Sequence, residues 1–197
     1  MANTSRINGF RPVRYLSGAA WNGKVSKYVT ATGDSTAIFV GDLVKLSTTG
    51  DSEGFRTVVQ AAAADPVIGV VVGVEPDFSN LNAAPYRVGS TRRVLMVVDD
   101  PNVLFEVQED GDTDPLEMPD IGLNADVIVG SGNTTTGQSA MQLDSTTHAT
   151  SATAVLKLME VVQRADNEFP SGGTAYTRWL VKINNHQLAS GTGVAGV

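Results

Sequence analysis

The sequence predicts an all-β protein: a small β-barrel or β-sandwich of about nine or more short strands with an extended N-terminal arm. Three observations carry this. Short apolar stretches, several alternating with polar residues, recur along all 197 residues, with the period of two that strands need. Turn-forming clusters separate them: Thr32-Gly-Asp, Thr48-Thr-Gly-Asp-Ser, Asp110-Gly-Asp, Ser131-Gly-Asn and Ser171-Gly-Gly. Aromatics make up only 6% of a chain that is 42% hydrophobic, so Val, Ala, Thr and Gly must build the core, which suits strands and tight turns.

Residues 1–27 read as a basic arm. They hold Arg6, Arg11, Arg14, Lys24 and Lys27, five of the 14 Lys+Arg, and none of the 21 Asp+Glu. The remainder carries nine positive charges against 21 negative ones, so an arm of +5 sits on a body of −12. Gly9, Pro12, Gly18 and Gly23 bar a long helix. Ile7, Phe10, Val13, Tyr15, Leu16 and Trp21 are more than a solvated tail needs, so the arm should order against its own body or a partner. The partner reading makes Arg6, Ile7, Phe10, Arg11, Val13, Arg14, Tyr15, Trp21, Lys24 and Lys27 the candidate contact residues. Trp21 suits an interface anchor and a barrel cap equally.

The body is expected over residues 28–188. Strands follow at 38–46 (IFVGDLVKL), 55–60 (FRTVVQ), 67–74 (VIGVVVGV), 94–98, 103–108, 125–129, 155–163 and 178–183. The run at 67–74 is apolar throughout, as a strand buried on both faces requires. In 103–108, Val103, Phe105 and Val107 share one face; in 178–183, Trp179, Val181 and Ile183 point inward. Short helices are expected only at 60–64, stopped by Asp65-Pro66, and near Asp120. Residues 77–85 read as a long loop and 133–153 as an exposed excursion pinned by Met141 and Leu143. One barrel or two remains open, the second alternative dividing near 77–92. Residues 189–197 read as a flexible tail.

Several function classes lose support. With Cys absent, disulfides and thiolate metal sites are excluded. The longest apolar run is too short to cross a bilayer, and a charged N-terminus argues against a signal peptide. A body of −12 would repel a nucleic-acid backbone, so direct nucleic-acid binding is not expected. Gly191-Thr-Gly193-Val-Ala-Gly196 spells a dinucleotide fingerprint, but no helix can follow it. Asp110, Asp112 and Asp114 could approach one Ca²⁺, but Pro115 and Ile121 stand where an EF-hand loop needs Gly and Glu. A solvated acidic turn is the better reading. His148 and His186 have no partner set: His148 sits in a Thr/Ser loop and is expected to be exposed, and a turn role suits His186. The expectation is therefore no catalytic residue, no metal, no cofactor and no enzyme activity. From Val94 to Leu156 there are eleven acids and no Lys or Arg, an acidic face fit for a basic partner.

The segment GDLVKLSTTGD…VVQAAAADPVIGVVVGV resembles the small β-barrel of the decoration (cement, or head-stabilising) proteins of tailed bacteriophages, where a G-D-L-V strand precedes a G-V-V-x-G-V strand. DPNVLFEVQED and WLVKINNHQL look like segments of phage structural proteins of this size. The resemblance implies a virion structural protein made in the bacterial host cytoplasm. It would bind the outer surface of the capsid, bridge copies of the major capsid protein and stabilise the head, often as a homotrimer. The arm would lie along an acidic groove of a partner, and a body lacking 1–27 would fold alone. A self-assembling head or tail subunit is the alternative; a glycan-binding β-sandwich follows, weakened by only two Trp and four Tyr.

Overall fold

The computed structural model describes residues 3–189 and 196. The tail beyond 189, with all but Gly196 of the Gly191-to-Gly196 spelling, lies outside the described residues. Twelve strands are present among the described residues: β1 (Arg11–Tyr15), β2 (Ser26–Val29), β3 (Leu43–Leu46), β4 (Val58–Gln60), β5 (Gly69–Val74), β6 (Val94–Val98), β7 (Val103–Gln108), β8 (Asn124–Ala125), β9 (Val127–Ile128), β10 (Gln142–Leu143), β11 (Leu156–Val161) and β12 (Arg178–Ile183). Single 3-10 turns occupy Met118–Asp120 and Ser145–Thr147. The chain is all-β, as its alternating pattern predicts.

One five-stranded sheet has the order β2-β6-β5-β3-β4, all antiparallel. Its last strand returns to its first: Val29 bridges Thr57, and the Val29 N–H donates to the Arg56 carbonyl at 3.0 Å. The ring so formed encloses a core that includes Tyr28, Val44, Ile68, Val71, Leu95 and Val97.

The second sheet has the order β1-β7-β12-β11-β8. Only Asp126 separates β8 from β9, which pairs with β10. Leu143 of β10 bridges Glu109 just past β7, and Asp110 N–H donates to the Leu143 carbonyl at 3.0 Å. This set also bends back on itself. Its core includes Phe105, Leu156, Leu158 and Trp179, and it continues into Val67 and into Leu43, Val70 and Val98 of the first sheet.

That sharing explains the apolar run at 67–74. Ile68 and Val71 fill the ring, while Val67 and Val70 face the other sheet. A segment covered on both sides has no place for a polar residue. Each side chain so buried contributes roughly 1.5–3 kcal/mol relative to exposure.

Four expectations need correction. The stretch 77–92 does not divide two barrels: it joins β5 and β6, hydrogen-bonded neighbours in one sheet. The chain passes between the sheets at 99–102, where Asp100, Pro101 and Asn102 form a turn. Residues 60–64 are not helical. The Asp65 carboxylate accepts from the Ala62 N–H at 2.7 Å and pairs with Lys45 at 2.6 Å, which fixes a turn before Pro66. The stretch 133–153 is only partly exposed: Met141 and Leu143 are buried as expected, and so are Ser139, Gln142 and Ser145.

Finally, residues 1–27 are not an arm separable from a body. Residues 11–15 form an edge strand on β7, with a register shift between Pro12 and Arg14 that fits proline's missing donor. The chain returns after Gly18: Trp21 N–H donates to the Val13 carbonyl and Tyr15 N–H to the Ala19 carbonyl, covering part of that edge. Phe10 is 1% exposed. Gly9, at φ +67°, lets the backbone cross there; a Cβ on it would come within 2.6 Å of the Gly41 carbonyl oxygen.

Candidate partner-binding surface

The ten candidate contact residues separate into two groups. Phe10 is core, and Tyr15 and Trp21 pack against that core half-buried. Arg14 pairs with Glu160, and Lys27 with Glu75 at 2.9 Å. Tyr15 donates its hydroxyl to Asn22 at 2.8 Å. These five are used by the chain itself. Arg6, Ile7, Arg11, Val13 and Lys24 remain exposed, and among the described residues Arg6, Arg11 and Lys24 form no ion pair.

Residues 3–8 are held by hydrogen bonds rather than by a strand. Gln108, buried at the end of β7, accepts from Arg6 N–H at 2.8 Å and donates to the Thr4 carbonyl at 3.0 Å. Arg178 donates to the Arg6 carbonyl at 2.9 Å. Asn3 exchanges two hydrogen bonds with the Glu168 backbone, at 2.9 and 2.8 Å. The Arg6 backbone is thereby fixed while its side chain stays in solvent.

The ridge at 8–12 separates two concavities. On one side is a groove of about 410 Å³ whose charged lining is Arg6, Arg11, Arg164, Arg178, Glu106 and Asp166. Glu106 lies 3.2 Å from Arg164 and 3.2 Å from Arg178, and Asp166 pairs with Arg164. Those pairs neutralise each other in part, leaving Arg6 and Arg11 as surplus cations on a chain of net −7. On the other side is an apolar pocket of about 460 Å³, lined by Phe10, Pro12, Trp21, Val25, Val72 and Met96 among others, with Arg11 at its margin. Cationic groove and apolar pocket together fit an acidic surface that carries an apolar protrusion.

Other polar features are internal. Arg87 is fully buried, with Nε donating to the Thr91 carbonyl at 2.9 Å and Nη2 to the Ala31 and Asp34 carbonyls at 2.7 and 2.8 Å, beside the Asp34 carboxylate at 3.2 Å. It ties two loops at one end of the ring. Asp42 of the G-D-L-V spelling accepts from Phe39 N–H at 2.8 Å and Gln60 Nε2 at 2.9 Å; burial raises its pKa. Glu109 is fully buried and accepts from Trp179 Nε1 at 3.0 Å; burial pushes its pKa up to about 8. Asp110 and Asp112 both accept from the Ser145 hydroxyl, at 2.8 and 3.0 Å. No group of three potential metal ligands is found among the described residues. His186 accepts the Leu188 N–H at 3.0 Å within its turn, the role its position suggests. His148 lies against the Ser145 carbonyl and 3.8 Å from Asp120. No helix is long and apolar enough to cross a membrane among the described residues.

The sequence pointed to Arg6 and Arg11 by charge asymmetry. It gave no signal for Arg164, Arg178 and Asp166: Arg178 reaches Glu106 through the pairing of β12 with β7, and Arg164 and Asp166 come from the segment after β11. Comparison with family models, with curated proteins and with solved structures finds no match for the chain.

Proposed function

We propose that this chain is a virion structural protein that decorates the outside of a phage head, bridging and stabilising copies of the major capsid protein. The observation that carries the reading is two cations, Arg6 and Arg11, that form no ion pair among the described residues and lie beside an apolar pocket on an acidic chain. The likeness of GDLVKLSTTGD…VVQAAAADPVIGVVVGV to decoration-protein barrels gives the capsid as the partner. Fixed backbone under a free guanidinium lowers the ordering cost of each contact. Many symmetric copies on a shell turn weak single contacts into firm attachment.

The test is cosedimentation with heads of the phage that encodes the chain, assembled without it. Wild-type protein is expected to sediment with the heads in a salt-sensitive manner. Arg6→Glu/Arg11→Glu is expected to bind about tenfold more weakly while keeping its fold, because neither side chain is used internally. Equal binding by wild type and this variant would overturn the reading.

A further inference from the structure

Apolar side chains held out into water call for a cover. The loop at 76–85 holds out two. Phe78 is 84% exposed and Leu81 83%, above every other large hydrophobic residue described. The loop is built to present them. The Asp77 carboxylate accepts from both the N–H and the hydroxyl of Ser79, at 2.9 and 2.6 Å. Asn80 N–H donates to the Asp77 carbonyl, and Ala83 N–H to the Asn80 carbonyl, at 3.1 and 3.0 Å. Asn80 Oδ1 accepts from Asn82 N–H at 3.2 Å. Two linked turns therefore satisfy the backbone locally and leave Phe78 and Leu81 without a use inside the molecule.

The same chain carries the complementary hollow. The apolar pocket beside the ridge at 8–12 measures about 460 Å³, in the range of sites that enclose a few side chains. Its walls are Pro12, Trp21, Val25 and Met96, and its margin carries Arg11, which has no ion pair among the described residues. Asp77 adjoins Phe78 with one carboxylate oxygen engaged by Ser79. An apolar pair flanked by an anion matches an apolar pocket flanked by a cation.

We propose that the 76–85 loop of one copy seats Phe78 and Leu81 in this pocket of a second copy, with Asp77 meeting Arg11, so that the protein self-associates through a knob and a hole on different parts of its surface. Phe78 is the anchor, Leu81 fills the remaining space, and the charge pair fixes orientation. The contact does not need the capsid reading, but it uses Arg11 and the same apolar pocket. A second copy seated there would exclude another partner from the pocket while Arg6 and the rest of the basic groove stay open.

Light scattering on the full chain over a concentration series is the test. Wild-type protein is expected to show mass that rises above one copy with concentration. Phe78→Asp/Leu81→Asp removes the knob and is expected to stay at one copy. Met96→Glu puts an anion in the hole and is expected to do the same; Val25→Glu, outside any strand, serves if Met96→Glu fails to fold. Mixing a knob variant with a hole variant leaves one intact contact and is expected to restore a two-copy mass and no more. A wild type that stays at one copy throughout would overturn the proposal. So would knob variants that associate like wild type, or a mixture that remains at one copy. Head binding by the knob variant separates this contact from that of the basic groove, because Arg6 is left untouched.

Discussion

Residues 3–25, irregular on both sides of the short edge strand β1, and residues 76–85, irregular throughout, both carry large apolar side chains and both lie at the surface, yet they treat those side chains in opposite ways. The first segment turns Phe10 into the core and packs Tyr15 and Trp21 against it, and spends its remaining groups on β7 and β12. The second satisfies its polar groups within itself and leaves Phe78 and Leu81 in solvent. The difference lies in what is adjacent. The N-terminal segment runs along an open edge of a sheet whose core needs Phe10; the loop merely joins two neighbouring strands that are already complete. Apolar content in a loop therefore says that something will be covered, and only the neighbouring edges say by what.

The largest expected effect tests the anchored side of that contrast. Phe10→Ala should lower unfolding free energy by about 3–5 kcal/mol, the cost of a cavity at a fully buried aromatic. Deleting 1–27 should do more, since it also removes β1 and half of β2. Urea unfolding measures both. A Phe10→Ala protein as stable as wild type would show that the segment is an appendage after all, and the contrast would collapse.

The distinction was only half legible in the sequence. Strands 94–98, 103–108 and 178–183 were readable to the residue because the first is a local apolar run and the other two alternate locally. β1 was not, because RPVRY carries two Arg and a Pro, and its pairing partner is about ninety residues away. β10, at two residues, is shorter than any periodicity can reveal. Charge asymmetry pointed to Arg6 and Arg11 as members of a cluster, since five cations without an anion at one end of an acidic chain is a compositional fact. That Arg14 and Lys27 would be spent on Glu160 and Glu75 depends on register, which no local pattern encodes. The Gly9 and Gly41 crossing that delivers Phe10 to the core is likewise tertiary.

A second, smaller effect sharpens the comparison through pH. Gln108, which holds Thr4 and Arg6, is followed by Glu109, whose pKa burial pushes from 4.5 up to about 8. The folded state thus keeps a proton that the unfolded chain releases near its ordinary value. Stability from this group is full below about pH 4.5 and is lost as pH rises toward and through about 8. Glu109→Gln keeps an acceptor for Trp179 Nε1 and has no charge to bury, so it should remove that slope. The expected gain is on the order of 2 kcal/mol at the alkaline end and little at the acid end. Unfolding midpoints across this window measure it. An unchanged slope would mean that Glu109 does not control the strand end that anchors the N-terminal segment. The 76–85 loop has no such group, so its local order should not follow pH in this range.

The smallest expected effect tests the other side. Phe78→Ser should change the stability of the single copy by no more than about 0.5 kcal/mol, because the side chain leaves water neither before nor after folding. The two turns of the loop keep their hydrogen bonds, which come from Asp77, Ser79, Asn80 and the backbone. Measured in dilute solution, where copies are apart, its unfolding midpoint should coincide with that of wild type. Measured at high concentration, only wild type should gain, because association stabilises the folded state by mass action and the variant has lost its knob. A loss at every concentration would mean that Phe78 is covered by its own chain, and the loop would then resemble the N-terminal segment rather than oppose it.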